Sequence, residues 1–144
     1  MSNVAVIVAS HGEFAKHALS SAEMIVGTQE NYGVLSLGLD FNLNDARRVL
    51  EDELKKLDRS SGTVILVDIF GGTPSNISGA LAFQEENILI VSGLNMPLLL
   101  DLLSNRERSL EDIAVSLENT YKEGFVDITK KLKEGDDEDE CEIL

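Results

Sequence analysis

Two side chains with chemical capability stand where short apolar runs end. His11, one of only two histidines, follows the run at 4–9 (VAVIVA) and lies within Ser10-His11-Gly12. Asp68 follows the run at 63–67 (TVILV) and opens the segment DIFGGTPSN at 68–76. A neutral imidazole is a nucleophile near physiological pH. A carboxylate that accepts a hydrogen bond from one ring nitrogen fixes the tautomer and supports the positive charge that develops during attack. Each residue also has a plainer reading, His11 as a structural histidine and Asp68 as a loop-capping or solvated acid. His17, six residues further on and mid-helix, reads as a surface or boundary residue.

The loop after Asp68 adds a third component. Gly71 and Gly72 permit backbone conformations that expose successive amides. Thr73 is a candidate helix N-cap, Pro74 suits the first helical turn, and Ser75 and Asn76 follow. A helix starting there would present free N–H groups, an arrangement that favours anions, phosphate included. The segment is neither a GxxxxGK[ST] nucleotide loop nor a GxGxxG dinucleotide loop. A histidine nucleophile, an orienting acid and an anion-favouring helix end point to phosphoryl transfer through a phosphohistidine. This set calls for no metal and no cofactor.

The elements that would carry these residues follow from hydrophobic periodicity. Continuous apolar runs read as strands buried on both faces at 4–9 and 63–67, with further strands at 32–39 and 87–92. Helical spacing predicts helices over 13–26, 43–57, 75–84, 96–103 and 109–122, the last opening on a capping box, Ser109 to Asp112. Residues 125–128 are expected to form a short final strand. Four rounds of strand then helix imply a parallel sheet with helices on both faces, a doubly wound three-layer α/β/α fold. In such sheets ligands bind beyond the carboxyl ends of the strands, which is where His11 and Asp68 fall.

Composition limits the alternatives. A chain of 144 residues has room for one domain. It carries 12 basic and 26 acidic residues, a formal net charge of −14. That balance argues against nucleic acid and against an anionic membrane surface as partners. No apolar run is long enough to span a bilayer, no signal peptide opens the chain, and one cysteine cannot form an internal disulfide. A cytoplasmic protein is expected. The acids crowd into 136–142, which reads as a solvated, disordered tail, so the expected division is a domain at 1–129 and a tail at 130–144. The terminal CEIL matches a prenylation box only formally, because its flank is acidic. A receiver module phosphorylated on Asp68 is a competing class. It lacks the acidic pair that would hold Mg²⁺ after the first strand.

Taken together, VIVASHGEFAKHAL, DIFGGTPSN and SGLNMPLLL (92–100) resemble the mannose-family IIA component of the bacterial sugar phosphotransferase system. The resemblance covers about residues 3–128. It implies a mainly parallel sheet of order 2-1-3-4 with an added antiparallel strand near the C-terminus, placed here at 125–128, in a homodimer that often exchanges that strand. It also implies that His11 accepts a phosphoryl group from the phosphocarrier protein HPr and passes it to a IIB component, expected here on a separate chain. Asp68 would hydrogen-bond His11, with Ser10, Gly12 and the loop residues Gly71, Gly72, Thr73, Ser75 and Asn76 around the phosphoryl group. The related IIA domain of the dihydroxyacetone kinase phosphotransfer protein also has a histidine after the first strand but lacks the DIFGGTPSN loop. A regulatory protein, in which phosphorylation of His11 controls partner binding without sugar transport, shares the same site.

Overall fold

The computed structural model describes residues 3–135. Four strands, β1 (Ala5–His11), β2 (Tyr32–Leu37), β3 (Thr63–Val67) and β4 (Ile88–Val91), form a parallel sheet of order β2-β1-β3-β4. Six helices connect and flank them: α1 (Phe14–Val26), α2 (Leu43–Lys55), α3 (Thr73–Leu81), α4 (Met96–Ser104), α5 (Leu110–Glu123) and α6 (Ile128–Glu134). The chain moves outward from β1 to β2 and then crosses to the other side of β1. The strand order therefore reverses between β1 and β3, which makes that pair the switch point of the sheet.

The apolar runs are buried on both faces because successive side chains point to opposite sides. Val4, Val6, Val8, Val64 and Leu66 pack with α1, α4 and α5 through Leu19, Leu99, Leu102 and Ile113. Ile7, Ala9, Ile65 and Val67 pack on the other face with α2 and α3 through Leu50, Leu54 and Ile77. Each of the buried Val, Leu and Ile side chains contributes about 1.5–3 kcal/mol. Between α4 and α5, Asp101 accepts from Ser116 and Thr120 at 2.7 Å each, and Arg108 lies 3.2 Å away. Burial pushes the Asp101 carboxyl up, but these hydrogen bonds and the Arg108 charge outweigh it and hold the group below the usual carboxylate range.

Local signals explain most element boundaries. Asn42 caps α2 by accepting from the Asn44 and Asp45 amides. Ser109 caps α5 by accepting from the Asp112 amide, one half of the expected box. Three expectations require correction. β1 runs on to His11 rather than stopping at Ala9, because its ladder to β2 continues through Ser10 and pairs His11 with Leu37. Polarity at 10 and 11 ends the apolar run but not the backbone pairing. The N-cap of α3 is Gly72, not Thr73, which is the first helical residue.

The third correction concerns 125–128. Among the described residues there is no fifth strand: Ile128 instead opens α6. Asp127 accepts from the Lys130 amide at 3.0 Å, so a local cap decides this segment rather than pairing with a sheet edge. Phe125 and Ile128 stay exposed. The expected boundary at 129/130 falls inside α6, and 136–144 lies outside the described residues. Among the described residues, no helix is long and apolar enough to cross a membrane.

At the amino end of the sheet a buried arginine ties the strands together. Arg106 is 5% exposed and donates to the carbonyls of Val4 at 2.6 Å, Asn31 at 2.7 Å and Glu30. Its own carbonyl accepts from the Val4 amide at 3.0 Å. Burial pushes the guanidinium pKa down. Replacement of Arg106 by Ala leaves three carbonyls without their charged donors and is expected to cost about 2–4 kcal/mol, read from urea unfolding. Arg106→Lys should recover less than half, because one ammonium cannot reproduce the planar fork.

Candidate functional site

The parallel pairing of β1 with β3 aligns Ala9 with Val67, which places the ends of the two strands side by side. The Asp68 amide donates to the Ala9 carbonyl at 3.1 Å and extends that ladder by one step. Asp68 therefore arrives beside His11 although 57 residues separate them.

One carboxylate oxygen holds the histidine twice. Asp68 Oδ2 accepts from the His11 backbone N–H at 2.9 Å and lies 2.8 Å from ring Nδ1. Oδ1 accepts from the Ile69 amide at 2.9 Å. An ionised carboxylate only accepts, so Nδ1 carries the proton and donates, which leaves the lone pair on Nε2. Among the described residues Nε2 has no hydrogen-bond partner. The His11 side chain is 53% exposed and that of Asp68 13%. Burial pushes the Asp68 carboxyl up. The bonds from the His11 amide and ring, the bond from the Ile69 amide and the His11 charge together outweigh burial and hold it below the usual carboxylate range.

The turn that presents His11 is fixed by its neighbours. Gly12 has φ +58°, a left-handed conformation that costs a glycine little and lets the chain pass from strand to helix in two residues. Its amide donates to the Leu37 carbonyl at 2.6 Å. The Ser10 side chain is fully buried; its hydroxyl accepts from the Ala15 amide at 2.8 Å and donates to the Gly12 carbonyl at 3.2 Å. Both bonds of Ser10 are internal to this turn. Its hydroxyl holds the turn that carries His11.

The loop from Asp68 to α3 closes on itself. Gly71, at φ +87°, donates its amide to Ser75 Oγ at 3.2 Å, and Asn76 Nδ2 donates to the Gly71 carbonyl at 3.4 Å. Ser75 and Asn76 thus shape the loop. Among the described residues the amides of Gly72, Thr73 and Ser75 have no acceptor, and Pro74 has none to offer. These are the unpaired donors expected at a helix start. Of these residues Gly72 lies beside His11: a Cβ built on it would sit 2.7 Å from His11 Cε1 and 3.3 Å from Nε2.

A further set of residues carried no sequence argument. Phe14, Leu39, Phe41, Ile69 and Phe70 are exposed and follow the carboxyl ends of β1, β2 and β3. For Leu39, Phe41, Ile69 and Phe70 the signal was present in outline, as large apolar residues in loop positions that ordinarily hold polar ones, whereas Phe14 opens α1. A cavity of about 990 Å³ opens instead at the amino end of the sheet, lined by Asn31, Asp58 and Arg106 among others. His11 sits on an open, partly apolar edge, a shape that suits a protein surface better than an enclosed small molecule.

Known proteins of the same kind are recognisable. A family model, EIIA-man, described as the PTS system fructose IIA component, matches residues 5–121. The chain is 30% identical over 123 residues to the PTS system mannose-specific EIIAB component of Escherichia coli, covering 84% of this chain. It spans only 38% of that relative's length. It is 28% identical over 123 residues to the PTS system fructose-specific EIIA component of Bacillus subtilis, covering 85% of this chain and 84% of that protein. The crystal structure of phosphotransferase system component EIIA from Streptococcus agalactiae superposes with a TM-score of 0.79 at 30% identity, over 88% of this chain and 98% of that one.

The lowered pKa of Asp68 has a testable sign. A carboxyl whose pKa is lower folded than unfolded contributes stability above its unfolded value, and that contribution fades as pH falls through the folded one. The stability difference between wild type and Asp68→Asn should therefore be largest near neutrality. It should shrink below about pH 4, where free aspartates protonate. Chemical unfolding at a series of pH values measures this, and a difference that does not change with pH would contradict it.

Proposed function

The chain belongs to the EIIA-man family of phosphotransferase-system IIA components, and on that premise we propose that it is a phosphoryl carrier acting through His11. The observation that carries the reading is the double hold of Asp68 Oδ2 on the His11 amide and Nδ1, which commits the lone pair to Nε2. The Nε2 lone pair attacks the phosphorus of a phosphohistidine on the donor protein. The new P–Nε2 bond forms as the donor's N–P bond breaks, and the bonding pair returns to the donor imidazole. His11 becomes cationic in the product, with its Nδ1 proton still shared with Asp68. The reverse geometry delivers the group to the next acceptor.

The spread charge on the phosphoryl oxygens needs donors that are already in place. The amides of Gly72, Thr73 and Ser75 fill that role at the start of α3, and Thr73 adds a hydroxyl. The donor is phosphorylated HPr and the acceptor a IIB component. Both would meet the apolar rim formed by Phe14, Leu39, Phe41, Ile69 and Phe70. A net charge of −14 favours partners with basic contact surfaces. The protein works in the cytoplasm as a homodimer, a reading supported by the outer edge of β4, unpaired among the described residues, and the exposed Phe83 beside it. Residues 1–129 form the IIA domain and 130–144 an acidic extension.

The test is reconstitution with phosphoenolpyruvate, the first enzyme of the system and HPr. Wild-type protein should acquire a base-stable, acid-labile label located on Nε2, and His11→Ala should acquire none. Label that persists in His11→Ala would overturn the assignment. Asp68→Asn should fold and still accept phosphate, about 10²-fold more slowly, because the tautomer is no longer imposed. An unchanged rate would remove Asp68 from the mechanism.

A further inference from the structure

Gly71 and Gly72 stand side by side but are glycines for different reasons. Gly71 has φ +87°, where any L side chain is strained. Gly72 has φ −79° and ψ 173°, ordinary extended backbone that every residue adopts. Backbone conformation therefore does not call for glycine at 72, and neither does capping. Gly72 is the N-cap of α3 and makes no side-chain cap bond, a position where serine, threonine, aspartate and asparagine are as good or better.

What position 72 lacks is room. A Cβ there would lie 2.7 Å from His11 Cε1, 3.3 Å from Nε2 and 3.3 Å from Ile69 Cγ2. Carbon atoms in contact sit about 3.5–4.0 Å apart, so the imidazole would have to retreat by close to 1 Å. The ring has one cheap way to go. Its side chain is 53% exposed, so it can swing toward solvent. That swing moves Cε1, which is bonded to Nδ1, and so pulls Nδ1 away from the carboxylate oxygen 2.8 Å from it.

We propose that Gly72 is a positioning residue: the missing side chain leaves the space that the Cε1 edge of the His11 ring needs in order to stay in the Asp68 grip, and the two together set the tautomer and direction of Nε2. This rests on the phosphoryl-carrier reading for its kinetic consequence but not for its structural one. Asp68 holds the ring at Nδ1, and the bare position at 72 leaves room for it at Cε1. Any side chain at 72 takes that room while leaving the fold and the Asp68 carboxylate in place.

The experiment uses Gly72→Ala and Gly72→Ser in the full chain, with three readouts. Thermal unfolding should shift by no more than a few degrees, and Gly72→Ser should equal or exceed Gly72→Ala because serine is the better N-cap. Imidazole ¹⁵N shifts should report a dominant Nδ1–H form of neutral His11 in wild type and a loss of that dominance in both variants. The rate of phosphoryl uptake from phosphorylated HPr should fall on the order of 10- to 100-fold in both, the size expected when a reacting atom is misplaced by about 1 Å. A capping or folding role predicts instead that Gly72→Ser behaves as wild type in all three, and that outcome overturns the proposal. So does a wild-type tautomer in both variants. If wild type is never labelled while the tautomer still shifts in the variants, the carrier reading falls and the positioning role of Gly72 stands.

Discussion

Everything at the carboxyl edge of this sheet depends on one carboxylate oxygen that accepts two hydrogen bonds from the same residue. Asp68 Oδ2 holds both the amide and the ring of His11. Holding the amide fixes where the side chain begins, and holding Nδ1 fixes how the ring is turned. Two separate acceptors could drift relative to each other, whereas a single oxygen couples backbone and ring into one geometry. The arrangement requires that β1 and β3 be adjacent, parallel and in a register that brings residue 68 level with residue 10, so that its carboxylate reaches the amide and ring of the next residue, His11. The order β2-β1-β3-β4 and the pairing of Ala9 with Val67 provide this.

That dependence explains how the rest of the molecule is distributed. The apolar runs of β1 and β3 are buried on both faces, so a slip of either central strand would force both close-packed layers to repack at once. Arg106 clamps the amino ends of the strands, opposite the site, where it gathers three carbonyls. The carboxyl ends are left open, and the proposed chemistry falls there. For a phosphoryl group at so acidic a chain, attraction would have to come from local donors rather than net charge, and Gly72, at the start of α3, lies beside the ring of His11.

Much of this was legible in the residues. Buried strands show as unbroken β-branched runs, and amphipathic helices show as three-and-four spacing, because burial acts on each residue through its immediate neighbours. The parallel sheet, its order and the candidate pair His11 and Asp68 were all accessible that way or through the resemblance of SHG and DIFGGTPSN. The segment 125–128 was misjudged because apolar, β-branched residues suggest a strand, while the Asp127 cap and the run of helix-formers after it decide for a helix. Ser10 was placed beside the phosphoryl group by the resemblance. The fold instead spends its hydroxyl on the Ala15 amide and the Gly12 carbonyl.

The sequence by itself determined the four strands and the first five helices, the chemical inventory at the strand ends and the family. Only the tertiary structure decided that Asp68 grips His11 at two atoms, that the exposed residues Leu39, Phe41, Ile69 and Phe70 share an edge with it, and that Gly71 and Gly72 are different kinds of glycine. The physical reason is range. Strand and helix patterns are written by contacts a few residues apart, whereas the hold on His11 spans 57 residues and exists only once the strands are in register. The space at Gly72 is a property of a neighbour's ring, and no local pattern records it.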